Sequence, residues 1–339
     1  MYSEVNLQIK ISFPQVVIFL VIAIIAAAAL ALNSGAADIP VLQSFADIWR
    51  GEQSLGATIL GQIRIPRLLL AMIVGATLGM AGAAMQGLLR NPLADPGVLG
   101  VTSGAAFGAV CVLYFGAAAT AWYWLPGAAI TGALLSLMLV YILAGLHSSM
   151  LALILAGVAM SAITGASIAV ALNFAPSLYA MQEIVFWLMG SLANRHWDHV
   201  SIALPLAIIG WLLMLSRSRF LDALSLGEES AGSLGFNNHR ERGVLLFGIA
   251  IGVGACVAVS GSIGFIGLIV PHLLRPFVGY RPGRLMFASA LGGALLLVLA
   301  DILVRQFDSA RELKLGVVTS LLGGPFFLLL ILKTRSRWA

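Results

Sequence analysis

The chain has 339 residues, of which 60% are hydrophobic and only 10% charged, with a formal net charge of +5 and a mean hydropathy of +1.01. Soluble domains carry about 25% charged residues, so these values exclude a soluble protein. The weak positive charge is read as a bias toward one membrane face rather than as a nucleic-acid surface.

Uncharged segments give the membrane plan in chain order. Residues 13–32 form a first crossing; few positive charges precede it and no small-residue cleavage site follows, so it is expected to be a retained helix rather than a signal peptide. Residues 68–89, bounded by Arg64-Ile-Pro-Arg67 on one side and a turn with Asn91, Asp95 and two prolines on the other, form most of a second. Residues 96–182 contain no Asp, Glu, Lys or Arg. Breaks at Phe115–Pro126 and Leu146–Met150 divide them into crossings near 97–115, 124–145 and 151–172. A sixth spans 199–216. Residues 243–274 are too long for one helix, and Gly261-Ser-Ile-Gly264-Phe-Ile-Gly267 splits them into a seventh and a short eighth. Segments 284–304 and 315–332 complete about ten. The expected fold is an all-α polytopic membrane protein, a single permease-like domain over 1–339, with both termini cytoplasmic. On that assignment the inner face carries 12 Lys and Arg and the outer face 7, in line with the positive-inside rule. The outer arginines Arg50, Arg64, Arg67, Arg195, Arg305 and Arg311 then need a purpose.

Little of the polar chemistry suggests an enzyme. No G-x-x-x-x-G-K-[ST] phosphate loop, no metal-binding Cys/His spacing and no H-E-x-x-H occurs. No catalytic residue, metal site or cofactor is therefore expected, and ATP cannot be bound through a P-loop. Cys111 and Cys256 lie in apolar segments and read as packed thiols. Asp301 is the one acid deep in an apolar segment. Intramembrane acids mark ion pathways, but Arg305 follows one helical turn later, and a local pair is preferred. An ion-coupled secondary carrier, the rival reading, needs more buried charge than this. Energy is expected from another subunit.

The largest inner loop, 217–242, mixes Leu221, Leu224 and Leu226 with Glu228 and Glu229, then Leu234, Gly235 and Phe236. Two short helices broken at Gly227 are expected to display apolar and acidic groups as a docking surface. The repeats Gly75-x3-Gly79, Gly100-x3-Gly104-x3-Gly108 and Gly248-x3-Gly252 suit either a dimer seam or close packing within one subunit, and the latter is preferred.

Together these motifs resemble one family. Arg64-Ile-Pro-Arg67, then Gly75-Ala-Thr-Leu-Gly-Met-Ala-Gly-Ala-Ala-Met-Gln-Gly87, then Arg90-Asn-Pro-Leu-Ala-Asp-Pro-Gly97 are similar to the FecCD-type permeases. These are the membrane subunits of type II ABC importers for ferric siderophores, haem and cobalamin. Leu155-Ala-Gly-Val-Ala159, Phe186-Trp-Leu-Met-Gly-Ser191, Leu226-Gly-Glu-Glu229, Gly261 through His272, Glu312 through Thr319 and Gly323-Gly-Pro-Phe326 continue the likeness in order. The resemblance implies a homodimer in the bacterial inner membrane with ten helices per subunit, two ATP-binding subunits below and a periplasmic substrate-binding protein above. It implies that Arg64, Arg67 and Arg305 dock the binding protein. It implies that Leu224, Leu226, Gly227, Glu228, Glu229 and Gly235 couple to the ATPase. It implies that Asn91 and Leu93, with Ser149, Met150 and Leu151, form the cytoplasmic gate, although this last turn is more apolar than the hydroxyl-rich version of the cobalamin importer. The expected cargo is a ferric siderophore, then haem, then cobalamin, with an oxyanion also open.

Overall fold

The computed structural model describes residues 12–35, 37–145, 149–307 and 313–335. Residues 146–148 of the expected break, and Lys10, Arg311, Glu312 and Arg337 of the sequence reading, lie outside that set. Every regular element among the described residues is helical.

Helix α1 (Phe13–Asn33) starts with a capping box, in which Gln15 Oε1 accepts from Ser12 N at 2.8 Å. It is apolar all round but buries only Val16, Leu20, Ile24, Ala27 and Ala31, a stripe spaced three and four residues apart. The remaining faces suit lipid. Helix α2 (Val41–Arg50) inverts the usual pattern: Ser44 and Asp47 are buried, while Leu42, Phe45, Ile48 and Trp49 are exposed, Trp49 by 91%. A short amphipathic helix with its apolar side outward suits the membrane interface. The sequence reading assigned no element here.

The second expected crossing begins earlier than its uncharged stretch. Helix α3 (Leu55–Thr58) runs through a π-turn (Ile59–Arg64) into α4 (Ile65–Leu89). Pro66 lacks an N–H, and its ring would crowd the carbonyl four residues back; the widened turn relieves this. Helix α4 is buried almost throughout and forms the centre of the molecule.

A 3-10 turn (Pro96–Leu99) leads to α5 (Val101–Tyr114), followed by α6 (Trp124–Ala144), α7 (Met150–Asn173), α8 (Leu178–Leu188) and α9 (Trp197–Ser216). Helix α8 corrects the sequence reading, which left 173–198 as a connection. Next come α10 (Ser218–Leu224), α11 (Glu228–Ser233), α12 (Asn238–Ser260), α13 (Ile266–Val278), α14 (Pro282–Gln306) and α15 (Leu315–Arg335). Seven of the described spans are long and apolar enough to cross a membrane, counting α3–α4 as one. Helices α5, α8, α13 and part of α15 are shorter apolar segments. The split inside 243–274 falls where expected. Helix α12 stops at Ser260, Gly261 takes φ 69°, and Phe265 caps α13 in the left-handed region.

Lipid tails are as apolar as leucine, so helix association here rests on close packing. The glycine repeats provide it within one subunit. A methyl on Gly75 would lie 2.2 Å from Gly293 O of α14, one on Gly79 2.0 Å from Ser289 O, and one on Gly82 1.9 Å from Gly267 O of α13. Gly104 and Gly108 of α5 meet Gly132 and Ala128 of α6 in the same way, and Gly248 and Gly252 of α12 meet Gly210 of α9. Buried hydroxyls reinforce these seams: Ser136 Oγ donates to Gly100 O at 2.7 Å, and Trp211 Nε1 donates to Thr77 Oγ1 at 2.9 Å.

Candidate functional site: two ends of the helical bundle

One end of the bundle gathers the arginines. The C-terminus of α1 exposes carbonyls that have no partner within their own helix. Arg64 satisfies two groups at and beyond that end, donating to Leu32 O at 2.5 Å and to Ala37 O. Arg305 Nη1 donates to Ala31 O at 3.0 Å and Ser34 O at 3.3 Å. Arg305 Nε and Nη2 also donate to Asp301 Oδ2, the first at 2.9 Å. Arg67 grips the same carboxylate from α4, with Nε at 3.0 and 3.1 Å from its two oxygens and Nη2 at 2.8 Å from Oδ1. Asp301 is thus the acceptor for two guanidinium forks. It pairs with Arg305 as expected and with Arg67 in addition. All three arginines expected at a docking rim have partners within the chain, and Arg64 is only 4% exposed. Arg67 and Arg305 share the Asp301 carboxylate and Arg64 lies in the field of Asp38, so these three cations and two carboxylates carry one excess positive charge.

The same end holds a seam between α8, the α12–α13 break and α15. Ser191 N donates to Ser260 O at 2.7 Å, and Gly316 N to Gly190 O at 3.3 Å. Gly190 (φ 68°) and Gly261 (φ 69°) permit this approach: methyls there would lie 2.5 Å from Ser262 O and 2.2 Å from Trp187 O. Trp197 Nε1 donates to Gly61 O at 2.9 Å, which ties the start of α9 to the π-turn that carries Arg64.

The opposite end carries the expected gate and coupling residues. Asn91 Oδ1 accepts from Leu93 N at 3.0 Å, closing an Asx turn. Ser149 Oγ accepts from Ala152 N at 3.3 Å and caps α7, leaving Leu151 exposed and Met150 half-buried. The two turns have separate partners, and among the described residues no hydrogen bond joins them. Between them, Asp95 Oδ1 accepts from Gly97 N at 2.8 Å. Burial pushes the Asp95 carboxyl above its usual range, against the effect of that bond.

The loop 217–242 forms α10 and α11, broken at Gly227 (φ 118°). Its leucines divide. Leu221 and Leu224 are buried with Phe220, whose ring lies 5.9 Å from that of Phe236. Only Leu226 (71% exposed) and Leu234 (63%) face outward. The expectation of a fully displayed leucine row is therefore corrected: Leu224 anchors the loop to the bundle because α10 packs down against α14 and α4. Glu229 and Gly235 are exposed. Glu228 Oε1 lies 2.6 Å from Arg242 Nη2. That contact is off the hydrogen-bonding direction, since Arg242 Nε and Nη2 make no directed bond. Arg217 Nη1 donates to Glu241 Oε2 at 2.5 Å and fixes the loop's two ends together.

A helical bundle with this many apolar spans and separate polar surfaces at both ends has the build of a multi-pass membrane protein. The chain belongs to the FecCD transport family, whose model matches residues 19–333. It is 42% identical over 284 residues to the vitamin B12 import system permease protein BtuC of Vibrio cholerae, covering 83% of this chain and 85% of that one. It is 40% identical over 279 residues to the hemin transport system permease protein HmuU of Yersinia pestis, covering 81% and 83%. A solved structure of an ABC transporter assigned to the metal-chelate type, in an inward-facing conformation, superposes with a TM-score of 0.84 at 33% identity, covering 95% of this chain and 100% of that one. The protein is accordingly an inner-membrane permease subunit of an ABC importer of the metal-chelate, haem or cobalamin type.

Proposed function

We propose that two copies of this chain enclose the path of an ATP-driven importer for a ferric siderophore, with haem and then cobalamin as the next choices. Each copy crosses the membrane ten times, the seven long spans being joined by α5, α13 and α15, with both termini cytoplasmic. A substrate-binding protein docks at the arginine end, and two ATP-binding subunits dock at the Asn91 end. The observation that carries this reading is the family match over 19–333. It is supported by an exposed apolar and acidic surface, Leu226, Glu229 and Leu234, placed beside the Asn91 turn. Gly227 and Gly235 let the chain turn sharply around that surface, while Glu228 braces it through Arg242. Asn91, Leu93, Ser149, Met150 and Leu151 serve as the cytoplasmic gate.

Docking at the arginine end is proposed to work through excess charge rather than through free guanidinium groups. Arg64, Arg67 and Arg305, set against Asp301 and Asp38, keep one excess positive charge that steers acidic groups of the binding protein.

Two measurements test this reading. Single cysteines at Gln53 and Ser233, in a chain whose Cys111 and Cys256 have been replaced, should differ: an impermeant thiol reagent outside the cell should label the first and not the second. Outside labelling at Ser233 would overturn the topology. Leu226→Asp combined with Leu234→Asp should reduce recovery of the ATP-binding subunits with the tagged permease by about tenfold or more, since buried interface anchors carry most of the binding energy. The permease itself should remain folded, because both side chains are already solvated. Normal recovery would remove the coupling role from this surface.

A further inference from the structure

Arg195 is an anomaly. It is half-buried in the turn between α8 and α9, its Nε is fully buried with no hydrogen-bond partner, and it forms no ion pair among the described residues. Burial lowers its pKa, with no carboxylate to oppose the effect. A half-buried guanidinium with a buried, unpartnered N–H and no counter-charge is costly. Arg195 lines a cavity of about 440 Å³ beside the seam of α8, α12 and α15. A second unpartnered donor, Nε1 of Trp187, belongs to a wall residue of the same cavity that is only 9% exposed. Tyr179 and Phe186 add aromatic walls, and Lys314 holds its ammonium 5.4 Å from the centre of the Phe186 ring. Glu183 also lines the cavity but makes no ion pair with either cation among the described residues. The lining residues therefore carry one net positive charge, and two of them, Arg195 and Trp187, hold buried N–H donors with no partner just behind the cavity surface. Gln182, Ser191, Asn194 and Ser260 add polar side chains to the same wall, a lining suited to an anionic group with its own hydrogen-bonding capacity.

We propose that this cavity receives an anionic oxygen group of the cargo, a carboxylate or phosphate, with Arg195 as its charge partner and Trp187 Nε1 as an accompanying donor. The planar guanidinium fork matches both groups. Trp197, two residues after Arg195, is bonded to the π-turn that carries Arg64, so the cavity shares the end at which cargo would be delivered. This inference rests on the importer reading and narrows its substrate class to chelates that carry exposed anionic oxygens.

The test uses the full permease assembled with its ATP-binding subunits in lipid nanodiscs, without binding protein. The probes are ferric citrate and a neutral hydroxamate ferric chelate. Ferric citrate should bind saturably to the wild-type complex and about tenfold more weakly to Arg195→Gln, the scale of a lost charge-assisted bond. Arg195→Lys should fall between the two, because it keeps the charge and loses the fork. The neutral chelate should bind weakly and ignore the Arg195→Gln change. Equal binding of ferric citrate by wild type and Arg195→Gln, or none by wild type, would overturn the proposal. So would an Arg195→Gln complex that binds ferric citrate normally but has lost affinity for the binding protein; the cavity would then accept an acidic side chain of that partner. Failure of the ATP-binding subunits to assemble with the wild-type permease would instead refute the importer reading, which keeps the two outcomes apart.

Discussion

Asp301→Ala should destabilise the permease by about 3–5 kcal/mol, the range found when one partner of a buried ion pair is removed. The side chain is 2% exposed and accepts from both Arg67 and Arg305, which are themselves only 14% and 7% exposed. Its loss leaves two guanidinium groups facing each other with Arg64 close by. The damage should extend to α1, because Arg305 and Arg64 hold the carbonyls at that helix's end. Arg67→Ala should cost less, since Asp301 keeps Arg305. Thermal unfolding in detergent, with loss of α1 protection followed by hydrogen exchange, measures both effects. A change within about 0.5 kcal/mol for Asp301→Ala, the usual range of surface substitutions, would show that the cluster contributes nothing to folding.

The second large effect separates glycines by position. Gly82→Ala forces a methyl to within 1.9 Å of the Gly267 carbonyl oxygen. That neighbour is backbone and cannot rotate away, so α4 and α13 must part. Overpacking of this kind costs about 1–3 kcal/mol, and more when backbone blocks relaxation. Gly165→Ala in α7 meets nothing within 4 Å. There the gain in helix propensity should dominate, making the change neutral or stabilising by up to about 1 kcal/mol. Thermal unfolding of the two variants side by side should give opposite signs. Equal destabilisation would mean that α4 and α13 are not held by backbone contact.

The long helices were legible because charge is nearly forbidden at membrane depth, so the gaps between ionisable residues come close to the helices themselves. Helix α8 escaped because Pro176, Gln182 and Glu183 interrupt its apolar run. Helix α2 escaped because ten residues of inverted polarity resemble a loop. Of the arginine cluster, the pair of Asp301 and Arg305 could be read from one turn of helix. The second fork, from Arg67, joins residues 234 positions apart and leaves no local trace. Leu221 and Leu224 could not be told from Leu226 and Leu234 by composition, because their burial depends on how α10 lies against α4 and α14. Arg195 was visible only as a charge on the outer list. Asp198, three residues on, suggests a ready partner that the fold does not deliver.

The glycine contacts along α4 have a mechanical consequence. Helices separated by side chains can slide by a rotamer change, as gears slip when their teeth bend. Helix α4 meets both α13 and α14 backbone to backbone and has no such teeth along those seams. Over this stretch the three helices behave as one solid beam, and a transport stroke cannot be absorbed within it. Motion is left to elements outside the beam, or to the tilting of a whole subunit against its neighbours.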